Sequence, residues 1–373
     1  MKSRPKPKLV FVHGIGKPFE PREKLAQWKR ALAEGMRDAH LAPDISALTM
    51  DWMADCSLAY YGDLFTDGEP QGAGGPDDLD EEEAALVLGF LAEFLEEEAA
   101  RPENQGDRAL ARLSAQLSPD GQPQGAGGAG RRLAGLLTAA AAVPGLAQVA
   151  RWSTARDVLR TWSQPARYLR RGDKDDQGTT LDARIRAQVL DCLDSERPTV
   201  VVGHSLGSVV AFEALKSYQG PVPLLVTIGS PIATSGLVWP RLRPRPPATP
   251  DCVDRWLDFW DGDDVVVPRR KLADLVRPNE RGVAPTPLRF DSRRWWAHGA
   301  ETYLARAEVA EPVIRALRAA STGTGIDADI GTGIGTGIDR GIETGISTET
   351  GTDEPAEVSR AAGSAGASRP AGS

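Results

Sequence analysis

The residues best placed to do chemistry in this 373-residue chain are Gly203-His204-Ser205-Leu206-Gly207. An apolar, β-branched run at 199–202 precedes them and a helix-forming run at 208–218 follows. A G-x-S-x-G stretch in that setting puts the serine on a tight strand-to-helix turn, with its hydroxyl clear of the sheet. Side chains at the two glycine positions would clash as the strand turns. The helix start behind the serine leaves free N–H groups for a developing negative charge. A serine attacks a carbonyl only when a base takes its proton and an acid orients that base. The chain has four histidines: His13, His40, His204 and His298. His204 lies inside the turn, where its ring is expected to point away from the hydroxyl. Only His298 follows the serine, in Trp295-Trp296-Ala297-His298-Gly299 ahead of a helical run at 301–317. Three carboxylates, Asp261, Asp263 and Asp264, follow a strand-like run at 255–260, and spacing alone does not separate them. A second turn, His13-Gly14-Ile15-Gly16, follows the buried-type strand 8–12. It is a poor phosphate loop. Phe11 stands where a P-loop has its first glycine, Pro18 follows Lys17, and Phe19 ends what would be G-x-G-x-x-G.

Together these residues resemble the α/β-hydrolase superfamily, and within it the bacterial lipase-like and serine-esterase-like members. Val12-His13-Gly14-Ile15-Gly16, Gly203-His204-Ser205-Leu206-Gly207-Ser208, Thr227-Ile228-Gly229-Ser230-Pro231 and the Tyr303-Leu304 pair after His298 carry the resemblance. It covers residues 8–62 and 181–318. In that family the order is Ser, then acid, then His, which implies His298 as the base. Members that place the acid just before a short apolar run ending in proline imply Asp264, ahead of Val265-Val266-Val267-Pro268. The resemblance also implies an oxyanion hole from the N–H groups of Leu206 and Ile15, with Gly14 shaping the turn. It implies hydrolysis of carboxylic esters, including acyl or lipid esters, through an acyl-enzyme and with no metal or organic cofactor. An acyltransferase or thioesterase would use the same triad, and a non-catalytic binding module would keep the fold alone.

Composition narrows the setting. Three scattered cysteines, Cys56, Cys192 and Cys252, suit neither a disulfide framework nor a zinc site. A basic start without an apolar h-region argues against a signal peptide, so a reduced, cytoplasmic location is expected. The net charge of −8 is uneven: eight acids and three bases lie from Ser321 onward, so the preceding residues carry only −3. No basic stripe with interleaved aromatics suggests nucleic acid, and no obligate protein partner is implied.

The elements that must position these residues read as one α/β domain, a mostly parallel sheet flanked by helices with a helical cap insertion. Strands are expected at 8–12, 45–50, 199–203, 223–228 and 255–260, and helices at 22–40, 80–100 and 181–193. The expected organisation is a first core part at 1–62, a cap at 63–180 with Gly/Pro-rich links at 66–78 and 118–130, a second core part at 181–320 and a low-complexity tail at 321–373. The acid run 77–83 reads as the solvated first turn of a helix. Residues 133–150 carry no charge, but Pro144-Gly145 interrupts them, so a cap element over the site is expected rather than a span. Membrane contact would come only through that cap. Trp152, Leu159, Trp162 and Leu169 recur on one helical face, a candidate wall for an acyl pocket. Isoleucine every fourth residue from Ile326 to Ile346, amid glycine, suits no packed core and predicts a disordered tail.

Overall fold

The structure is a computed structural model describing residues 5–14, 16, 18–65, 81–99, 108, 112, 155–264, 267, 271–292 and 297–323. Six strands form one sheet: β1 (Lys8–Val12), β2 (Asp55–Ala59), β3 (Thr199–His204), β4 (Leu224–Ile228), β5 (Trp256–Asp261) and β6 (Pro285–Phe290). Their order is β2-β1-β3-β4-β5-β6 and every neighbouring pair is parallel. The helices are α1 (Pro21–Asp38), α2 (Ile45–Thr49), α3 (Glu81–Ala99), α4 (Ala155–Arg170), α5 (Leu181–Asp191), α6 (Leu206–Leu215), α7 (Ala300–Leu304) and α8 (Ala307–Thr322).

Strand residues alternate between two buried faces, so the central strands read as unbroken apolar runs. Leu9, Phe11, Val200, Val202, Val226 and Phe259 pack under α1, α7 and α8, against Trp28, Leu32, Val313 and Leu317. Val10, Val12, Val201, Leu225 and Trp256 face the opposite layer, where α3 to α6 contribute Leu86, Leu169, Ile185 and Phe212. In a parallel sheet all strands end on one side. The order also reverses between β1 and β3, which opens a crevice between the turns that follow them.

Three expected elements differ. Residues 45–50 are not a strand: α2 occupies them, with Leu48 its buried residue, and the second strand is β2. The sheet has a further strand, β6, at its edge. The run 301–317 is two helices, broken at Ala305-Arg306, and α8 runs to Thr322, where Gly323 takes a left-handed φ of 74°. The elbow helix also starts two residues earlier than expected, at Leu206.

The insertion is anchored by charge. Glu83, expected to be solvated, is buried within ion-pair range of Arg170, 3.4 Å away. The side chain of Arg171, just beyond α4, reaches Asp182 at 2.7 Å and Glu213 of α6 at 2.6 Å, and the Tyr168 hydroxyl donates to Glu213 at 2.7 Å. On α3, the Glu93 carboxylate accepts the Ser235 and Gly236 backbone N–H groups at 2.5 and 2.8 Å. The stretches 66–78, 118–130 and 133–150, Trp152, and the tail beyond Gly323 lie outside the described residues, as do the side chains of Leu159 and Trp162. Leu169 packs in the core. Among the described residues no helix is long and apolar enough to cross a membrane.

Candidate active site

Ser205 sits between β3 and α6 with φ 53° and ψ −130°, a conformation that side chains rarely adopt. The elbow closes only because its flanks are bare. A Cβ on Gly207 would stand 2.2 Å from the carbonyl oxygens of both Val12 and His13. The turn after β1 is equally close: a Cβ on Gly14 would lie 2.6 Å from that of Ser205. Two strand ends therefore meet at the serine.

His298 arrives from the loop beyond β6. Its Nε2 is 2.9 Å from the Ser205 hydroxyl, and its Nδ1 lies 2.9 and 3.1 Å from the two Asp264 carboxylate oxygens. An ionised carboxylate only accepts, so the imidazole proton sits on Nδ1 and leaves Nε2 to accept from the serine. Asp264 lies beyond β5 and is buried. The Tyr303 hydroxyl donates to Asp264 Oδ2 at 2.7 Å while accepting the Asp261 N–H at 3.1 Å. Ser205, His298 and Asp264 thus form one hydrogen-bonded series, held from behind by Tyr303.

Asp261 is turned inward. It is 1 % exposed, and its carboxylate accepts the N–H groups of Asp263, at 2.9 Å, and Ser292, at 3.2 Å. Burial pushes its carboxyl above the usual range. It folds the turn that presents Asp264, and Asp264 N–H in turn donates to the Asp261 carbonyl at 3.1 Å. Asp263, exposed on the same turn, donates its N–H to Asp261, and it is the Asp264 carboxylate that meets the histidine.

Leu206 opens α6, so its N–H belongs to the helix's unpaired first turn. Ile15 lies outside the described residues, as do Val265, Val266, Pro268, Trp295 and Trp296. Gly14 and Gly16 are described on either side of Ile15. The Nε2–H of His204 donates to the carbonyl of His298 at 2.7 Å. Burial, helped by the nearby His298, pushes it down to about 3, so it is neutral. His13 is likewise buried and pushed down to about 3. Its Nε2 accepts the Tyr61 N–H at 3.1 Å, and its ring stacks on Tyr61 at 4.1 Å between centroids. His40, at the end of α1 with φ 58°, has no place in the site.

Sequence reasoning did not assign Tyr303 a role. Its position five residues after His298, across a short helix, was the available signal. Among the described residues no group of three His, Cys, Asp or Glu side chains is placed to hold a metal ion. A scan against family models finds no matching family, and searches of curated proteins and of solved structures find no match.

Proposed function

We propose that this chain is a serine hydrolase with an α/β-hydrolase fold and helical insertion, and that it cleaves carboxylic esters. One observation carries the reading: Ser205, His298 and Asp264 stand in hydrogen-bonded series at the carboxyl ends of a parallel sheet, with the serine in a strained turn. Strain at such a residue persists only when its surroundings impose it, and it gathers at functional sites.

In the proposed reaction the Ser205 oxygen bonds to the ester carbonyl carbon as His298 Nε2 takes the serine proton. The carbonyl π pair moves onto oxygen, toward the N–H of Leu206 and that of Ile15. Asp264 stabilises the imidazolium without taking its proton. Collapse expels the alcohol, which receives the proton from His298. Water then repeats the sequence on the acyl-enzyme and releases the acid. Each oxyanion donor in such a hole contributes about 2.7–4 kcal/mol in the transition state.

The test is labelling of the full-length protein by a fluorophosphonate probe, in which the serine oxygen bonds to phosphorus and fluoride leaves. Wild type should label, and Ser205→Ala should not. An unlabelled, folded wild type, or equal labelling of Ser205→Ala, removes the reading.

A further inference from the structure

The turn after β1 is held from two sides. On the His13 side, Tyr61 supplies both its backbone N–H, to Nε2, and its hydroxyl, to the His13 carbonyl. On the Gly16 side, the side-chain amide of Gln164 makes a paired bond. Gly16 N–H donates to Gln164 Oε1 at 3.0 Å, and Gln164 Nε2 donates to the Gly16 carbonyl at 2.9 Å. One side chain thus satisfies both backbone groups of one residue, as a neighbouring strand would. A primary amide can do this because it donates and accepts in the same plane. Gln164 is 8 % exposed, and it comes from α4 in the insertion, 148 residues from Gly16.

We propose that Gln164 is a positioning residue for the chemistry at Ser205, fixing the turn that carries the second oxyanion donor. This rests on the serine hydrolase reading above. The turn contains two glycines, so its backbone has broad freedom unless something restrains it. An oxyanion donor works only when held about 2.7–3.1 Å from the developing charge before that charge appears. Simple anchoring of α4 does not require the Gln164 bond. Arg167 already donates to the Phe65 carbonyl at 2.6 Å, and Tyr168 and Arg171 already engage Glu213. What the Gln164 bond adds is order in the turn beside the serine.

The experiment measures fluorophosphonate inactivation of the full-length protein, separating the maximal rate kinact from the half-saturating concentration KI. The variants are Gln164→Leu, which removes both bonds, and Gln164→Glu, which keeps the size and the acceptor but sets a carboxylate against the Gly16 carbonyl. Removing an oxyanion donor outright costs about 10²–10³ in rate, so misplacing one should lower kinact about 10–100-fold. KI should stay within about threefold and Tm within a few degrees. Unchanged kinact in both variants, at any Tm, overturns the proposal. So does a raised KI with kinact intact, which would make Gln164 a probe-contacting residue. If Gln164→Leu does not fold, Gln164→Glu decides. A labelled wild type with unaffected variants defeats this inference alone; an unlabelled wild type defeats the hydrolase reading and this inference together.

Discussion

His13 and His204 are buried without charge, each pushed down to about 3 from 6.5, chiefly by burial. Unfolding returns both rings to water, where each binds a proton below about pH 6.5. Asp258 opposes them. It is buried in β5, accepts the Thr227 hydroxyl at 2.5 Å, and burial pushes it from 3.8 up to about 7. Between about pH 4 and pH 6.5 the folded protein therefore holds a proton on Asp258 that the unfolded chain lacks. The unfolded chain holds two on the histidines that the folded protein lacks. From these three groups unfolding takes up a net one proton, so their contribution to stability falls as pH falls through this window. The slope is about 1.4 kcal/mol per pH unit, or close to 3 kcal/mol between pH 6 and pH 4. Asp258→Asn removes the opposing group while keeping an acceptor for Thr227, and should double the slope to about 2.7 kcal/mol per unit. Urea melts followed by the fluorescence of the nine tryptophans, at half-unit pH steps, would measure both slopes. Comparing the two proteins cancels every other titrating group. A slope in Asp258→Asn no steeper than in wild type refutes the reasoning.

At the site, Ser205→Ala and His298→Ala should each lower kcat by about four decades or more, with little further loss in the double variant; strictly multiplicative losses would show that the two do not act as a unit. Asp264→Asn should cost about four decades, while Asp263→Asn leaves kcat within about tenfold. Asp261→Asn, which weakens the turn's acceptor, should act mainly through a lowered Tm. Tyr303→Phe removes a hydrogen bond to a buried carboxylate, so kcat should fall about 10–100-fold with KM little changed; a pure KM effect would contradict this. Gly207→Ala puts a methyl into two carbonyl oxygens and should destabilise the fold by about 2 kcal/mol or more, read from the urea midpoint.

The elbow was legible because its signals are local. A β-branched strand, two glycines and an apolar helix lie in consecutive residues, and tertiary packing agrees with each. Asp264 was separable from its neighbours only by a pattern borrowed from resemblance; the structure brings that carboxylate to His298 and turns Asp261 inward as a backbone acceptor. The edges of the sheet were misread for a physical reason. β2 is only partly buried apart from Ala59, so its composition does not stand out, whereas Ile45 to Thr49 mimics a strand although only Leu48 is buried. β6 contains Pro285 and Pro287, which argue against a strand unless it lies at an edge, where it does lie. Gln164 left no sequence signal at all, because its partner is a backbone 148 residues away.

The central pair β1–β3 has a further consequence. Between Ala59 and Thr199 the chain leaves the sheet at one edge and returns to its middle, so the two turns flanking Ser205 are joined through a very long excursion. Closure entropy grows only with the logarithm of such a length, about 0.6 kcal/mol for each doubling. The closure term therefore changes little if links within the excursion lengthen, while α3, α4 and α5 keep their places through Leu86, Leu169 and Ile185 in the core, Gln164 at Gly16 and Arg171 at Glu213. The excursion is thus moored beside Ser205 at two points, through Gln164 on the turn after β1 and through Arg171 on the elbow helix.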